Sequence, residues 1–312
     1  MVRGRWLPPQ SCTCIGASHL RNSSECQDAS DSRTFLSLDN YPVSTMVVAD
    51  GHGGKPYFLS DKGSAIACTT TFALIEQYIS THIIKTKRNL MLEHAWFSTD
   101  LPKQIHLQWL VQIENHWREY HSNAGDFDPK VYGTTLGIVL MTPFWWGHTG
   151  IGDWDLTISS DNGSINLLSE EKDSAAPGEA TFSLCHTYGY KFFANRTKIY
   201  SLFKSNKSFS IALSTDGIRK SCSTDKDFLL LSSFLSKAST PFLDVANNID
   251  LPTALKKITT EGCGDDVSVA VATWCLEKLG LEALKLKCYF IIKKVFFQCL
   301  GKKILYSYSS FP

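Results

Sequence analysis

"STMVVADGHGGKPYF", residues 44–58, carries an apolar run straight into Asp50, Gly51, His52, Gly53 and Gly54 and turns away at Pro56. Asp-Gly is a common hairpin signal and glycine tolerates the positive φ of tight turns, so a simple turn is one reading. Three more stretches share the feature. "GHTGIGDWD" (147–155), "FSIALSTDGIR" (209–219) and "GCGDDVSVAVATW" (262–274) each set aspartate at an end of a short apolar strand. A carboxylate placed there has its backbone held by the sheet and its side chain free, so several such ends can converge on one cation. The repetition therefore reads as a site for a hard metal ion.

The composition bounds the class. The chain has 312 residues, 43% of them hydrophobic, and a formal net charge of +1. Such a chain can bury a sizeable core, and its near-neutral charge argues against a general nucleic-acid binder. The ten cysteines are scattered without a pair of C-x-x-C units, so a structural zinc site is not expected and thiols in a reducing compartment are. The amino terminus "MVRGRWLPPQ" has no apolar h-region, which fits a cytoplasmic protein. The expected organisation is one domain over residues 1–274 and a basic, apolar extension over 275–312.

Periodicity sets the layers. "PVSTMVVAD" reads as a strand, and residues 61–84 have the length and apolar spacing of a helix packed on it. Residues 102–122 repeat Ile105, Trp109, Ile113 and Trp117 every four positions, an amphipathic helix with an aromatic stripe toward the core. From Gly133 the period changes to a meander: a strand to Met141, a turn at Thr142-Pro143, a strand through Ile151, and a tight turn at "DNGS". "FSIALSTDG" and "DDVSVAVATW" alternate with period two, as half-buried strands do. Short turns between neighbouring strands favour antiparallel sheets, with helices covering their outer faces. The expected fold is therefore layered α and β, unlike a doubly wound parallel sheet.

The ordered set Gln27-Asp28, Asp50-Gly51-His52-Gly53-Gly54, Gly133-Thr134-Thr135, Gly152-Asp153, Thr215-Asp216-Gly217 and Asp265-Asp266 resembles the metal-dependent protein phosphatases of type 2C, the PPM family. The opening "IGASHLRNSSECQDAS" (15–30) is similar to the divergent branch of that family found widely in bacteria. The resemblance spans roughly residues 14 to 274 and implies an α+β fold, a four-layer α-β-β-α sandwich with two Mn²⁺ or Mg²⁺ ions at one end of the paired sheets.

By that resemblance Asp50 bridges both ions, the backbone carbonyl of Gly51 joins it, Asp216 and Asp265 complete the ligand set, and Asp28 supports the metal through water. Asp153 resembles the residue that lends a carboxylate to a third, weaker ion in some members. The implied reaction is hydrolysis of phosphoserine or phosphothreonine in a phosphorylated protein by a water bridging the two ions. His52, beside Asp50, is the candidate general acid for the leaving alkoxide.

Two features depart from the family pattern. Most members place an arginine before the first acidic motif to clamp the substrate phosphate, where this chain has Ser23 and Ser24; Arg21 and His19 are the candidates for that contact. The extension over 275–312 has no run approaching the ~20 residues of a membrane span. Its readings are a closing helix or packed extension, or a basic helix lying on a membrane surface. Three functions fit the residues: the phosphoprotein phosphatase, a phosphatase-fold binding module with weak or no turnover, and a small-molecule phosphohydrolase on the same centre. The complete set Asp50, Asp216 and Asp265 speaks for an enzyme.

Overall fold

The computed structural model describes residues 4–84, 87–121, 125–169, 181–203, 205, 207–239 and 249–276. Two antiparallel sheets lie face to face, each covered by helices on its outer side, as the sequence leads one to expect. The first sheet joins β3 (Asp28–Leu36), β4 (Pro42–Asp50), β5 (Leu136–Met141), β6 (Trp145–Ile151) and β9 (Lys198–Ser201) in that spatial order. The second runs β1 (Gly4–Trp6), β11 (Val267–Leu276), β10 (Phe209–Ser214), β7 (Asp155–Ser160) and β8 (Ile165–Ser169), with β2 (Gln10–Cys14) also paired to β11.

Alternate residues of each strand feed different apolar layers, because successive side chains point to opposite faces. In β5, Leu136, Ile138 and Leu140 face the helices while Val139 and Met141 face the other sheet. In β11, Val267, Val269 and Val271 pack against helices, and Ala270, Ala272 and Trp274 fill the space between the sheets. The period-two pattern of β10 and β11 suggested strands buried on one face only. Residues Ile211–Ser214 and Val267–Trp274 are instead buried on both faces, because a sheet covers one side and helices the other. The alternation marks which layer a residue joins, not which face meets water.

The helices follow their apolar spacing. In α2 (Ser60–Thr81), Cys68, Phe72, Ile75 and Ile79 recur at helical intervals and are buried against the first sheet. The aromatic stripe lies on α4 (Leu101–Tyr120), where Ile105, Trp109, Ile113 and Trp117 all face the core and Trp109 Nε1 donates to the Gly63 carbonyl at 3.0 Å. On the opposite side, α6 (Asp225–Leu235) and α7 (Leu251–Glu261) cover the second sheet. Thr224 caps α6 by accepting from the Asp227 amide, and Asp250 caps α7 by accepting from the Thr253 amide.

Both predicted helices end about three and two residues short of the sequence limits, at Thr81 and Tyr120. The last strand runs to Leu276, two residues into the proposed extension, and residues 277–312 lie outside the described residues. No helix among the described residues is long and apolar enough to cross a membrane.

Leu213 is fully buried between the sheets, so Leu213→Ala should destabilise the fold by about 2–5 kcal/mol, the range for a core cavity. Urea unfolding should show a lower midpoint with an unchanged slope. A midpoint equal to wild type would mean the two sheets do not pack there.

Candidate metal centre

The strand ends deliver the carboxylates. Register places Asp28 opposite Asp50 where β3 begins and β4 ends. The Asp50 carbonyl accepts from Thr135 N at 2.8 Å and Thr134 Oγ1 at 2.9 Å, and its amide donates to Thr135 Oγ1 at 3.0 Å. Its backbone is thus fixed by the Gly133-Thr134-Thr135 stretch while its carboxylate faces a cleft. Gly51 follows because a Cβ there would lie 2.7 Å from the carbonyl oxygens of both Gln27 and Ser60. The chain passes so close to two backbones that only glycine fits. His52 donates its amide to Gly133 O at 3.0 Å and sets its ring edge-on to Tyr57, 5.0 Å between centroids.

Asp153 follows Gly152, whose φ of +90° favours glycine. The buried Arg196 guanidinium donates to the carbonyls of Gly152 and Trp154 and stacks 3.9 Å over the Trp154 ring, so the residues on both sides of Asp153 are clamped. Asp216 opens α5 (Asp216–Lys220) one residue beyond β10, after Thr215, and Asp265 stands two residues before β11. Asp50, Asp153, Asp216 and Asp265 all line one cleft of about 650 Å³, with His52 beside them.

Burial, and then crowding, raises the pKa values of Asp28, Asp50 and Asp216. Burial, then Asp28, Asp216 and Asp153, hold Asp50 well above the usual carboxylate range. Burial and then Asp153 push Asp216 up to about 7, against the pull of Lys220. Asp28 is raised mainly by burial, and Thr215 Oγ1, donating to its Oδ2 at 2.7 Å, opposes the shift. Burial and His186 draw His52 down to about 4, so its imidazole is neutral near pH 7 before substrate enters.

The donor set fits a hard divalent cation. It offers only oxygen, and Asp216 Oδ1 is buried without a hydrogen-bond partner among the described residues. As the side chains stand, no three histidine, cysteine, aspartate or glutamate groups among the described residues close on a single point. The carboxylates share the cleft, and an ion would have to draw them together.

The other sequence candidates fall in different places. Asp28 is buried behind Asp50 and does not line the cleft. His19 does line it, with Nδ1 held 3.0 Å from the Asp266 carboxylate. Arg21 is exposed on α1 (Ala17–Asn22) and is absent from the lining. Residue-by-residue reading missed two others. Asp266 is buried and accepts from the amides of Gly16 at 2.5 Å and Gln27 at 2.6 Å, so it fastens the amino-terminal segment to the site. Lys220 brings its ammonium to Asp216 at 2.7 Å and to Asp265 at 3.3 Å. The i,i+4 spacing of Asp216 and Lys220 on one helix was the available signal.

Residues 15–258 match the family model of Protein phosphatase 2C, well over half of the chain. The chain belongs to the protein phosphatase 2C family. Solved structures agree on the fold. A bacterial serine phosphatase superposes with a TM-score of 0.54 at 13% identity, covering 88% of this chain and all of that one. The serine/threonine phosphatase Stp1 from Staphylococcus aureus gives 0.52 at 13% identity, over 87% of this chain and 96% of Stp1. The catalytic domain of the serine/threonine phosphatase PstP, solved with two manganese ions, gives 0.51 at 15% identity over 86% and 98% of the two chains. No curated protein matches the chain.

Because the folded-state pKa of Asp216 lies above the unfolded value, its contribution to stability is full below about pH 4 and is lost as pH rises through about 7. In EDTA, Asp216→Asn, which cannot ionise, should therefore gain on wild type between pH 5 and pH 8, by on the order of 5 °C in Tm. A difference between the two proteins that stays constant with pH would show that Asp216 titrates normally.

Proposed function

We propose that this member of the protein phosphatase 2C family hydrolyses phosphoserine and phosphothreonine in phosphorylated proteins, with Mn²⁺ or Mg²⁺, in the cytoplasm. The observation that carries the reading is the convergence of Asp50, Asp153, Asp216 and Asp265 from separate strand ends on one cleft beside His52. We assign Asp50, the Gly51 carbonyl, Asp216 and Asp265 to holding two ions, Asp28 to supporting them from behind, and Asp153 to a weaker third. When bound, the ions supply an activated water and offset the charge of the phosphoryl group.

The chain's own residues do the rest. Thr134 and Thr135 hold the Asp50 backbone still, which keeps its carboxylate in place as charge redistributes. Asp266 holds His19 and the Gln27 amide at the cleft wall, and His19 stays the proposed phosphate contact; Arg21 is not supported for that role. His52 stands against Tyr57 in the lining of the cleft that holds these carboxylates, and we assign it the role of general acid for the leaving alkoxide. Its low pKa requires that it take up a proton as the phosphate dianion enters, since a nearby negative charge favours the imidazolium.

Hydrolysis of a phosphothreonine peptide should appear on adding Mn²⁺ or Mg²⁺ and vanish with EDTA, and Asp50→Asn, Asp216→Asn and Asp265→Asn should each abolish it in folded protein. Turnover that survives thorough chelation would overturn the metal-dependent reading.

His52→Ala should slow the phosphothreonine peptide by roughly 10²-fold or more, within the usual general-acid range. It should slow p-nitrophenyl phosphate far less, because a phenolate leaves without a proton. Equal losses on the two substrates at saturating Mn²⁺ would reduce His52 to a support for Asp50.

A further inference from the structure

The carboxylate cluster already contains a cation. Lys220 Nζ sits 2.7 Å from Asp216 Oδ2 and 3.3 Å from Asp265 Oδ2, touching two of the groups assigned to the metal. Its neighbour Arg219 turns elsewhere, pairing with Asp155 at 3.1 Å and Asp225 at 2.9 Å. Lys130, the other lysine of the cleft lining, lies 5.8 Å over the Tyr57 ring. Lys220 alone among the lysines and arginines of the lining is paired to the assigned ligands.

We infer that Lys220 competes with a divalent cation for Asp216 and Asp265, so that the chain holds its metal at this side of the site more weakly than the carboxylates alone would. The inference rests on the metal-binding assignment made above.

Three observations support competition over a purely structural ion pair. The ammonium takes one oxygen of each carboxylate and leaves Asp216 Oδ1 buried and unpaired, so the pair does not satisfy the site. The Lys220 side chain is 53% exposed, which leaves it a path into solvent and makes its ion pairs weak enough to exchange. A doubly charged ion at the same oxygens gains twice the Coulomb attraction of an ammonium, so it wins when its concentration is high enough. Lys220 would then swing out, and its positive charge would remain at the mouth of the cleft.

The test is calorimetric titration of MnCl₂ into the metal-free full chain, wild type against Lys220→Gln, Lys220→Met and Lys220→Arg. Thermal melting in EDTA and in Mn²⁺ runs beside it as a readout independent of activity. Lys220→Gln and Lys220→Met should bind Mn²⁺ about 10-fold more tightly and show a larger Mn²⁺-induced rise in Tm, whereas Lys220→Arg should stay near wild type. Equal or weaker Mn²⁺ affinity in both neutral variants would overturn the inference while leaving the metal site standing. Absence of Mn²⁺ binding in wild type and variants alike would overturn the metal assignment and the inference with it.

Discussion

The interaction on which the site depends is repulsion. Asp50, Asp153, Asp216 and Asp265 are each anchored through a backbone that belongs to a sheet or abuts one, so their carboxylates cannot drift apart as free side chains would. Burial first, and this repulsion with it, lifts Asp50 and Asp216 above the range in which acids normally ionise. A fold that imposes this arrangement gives up stability at neutral pH unless a positive charge is supplied. The rest of the molecule can be understood as the framework rigid enough to impose it.

That rigidity has an identifiable source. Three apolar layers, two between helix and sheet and one between the sheets, leave β4, β5, β10 and β11 buried on both faces. A strand packed from both sides cannot slide by one residue without reversing its side chains between two filled layers. The strand ends are therefore fixed in space. The glycines at 51 and 152 let the chain turn away immediately afterwards, so the carboxylates stand at the rim and are not carried into the core. The buried Asp266 closes the arrangement by gripping Gly16, Gln27 and His19, which ties the first segment of the chain to the last strand.

Much of this was legible in the sequence because the signals are local. The aspartates beside glycine at strand ends, the four-residue aromatic repeat of α4 and the meander from Gly133 each mark a position without reference to distant residues. What escaped was set by long-range pairing. Strands β1 and β2 exist because Gly4–Trp6 and Gln10–Cys14 find β11 some 260 residues later, and nothing in "RGRW" or "QSCTC" announces that partner. The same limit applies to Asp265 and Asp266. As adjacent acids they look equivalent, yet distant partners separate their roles: both line the cleft, but the first meets Lys220 while the second is buried on the amides of Gly16 and Gln27. His19 and Arg21 separate in the same way: two positions apart on a short helix, one reaches the cleft and the other points to solvent.

The charge balance of the cleft also constrains the order of events. Five carboxylates, those of Asp50, Asp153, Asp216, Asp265 and Asp266, line the cleft with two lysines, Lys130 and Lys220, and Lys220 is held by two of those carboxylates. A phosphate monoester near neutral pH carries close to two negative charges. Entering this cleft as it stands, it would meet excess negative charge and, besides Lys220, one lysine, Lys130, lying beside Tyr57. The divalent ions proposed above would offset that field, and on the inference drawn from Lys220 they would free it from the carboxylates that hold it. On that proposal electrostatics would order metal binding and phosphate binding, with the cation first. Lys220, displaced in this way, would then be a positive charge available to the anion that follows.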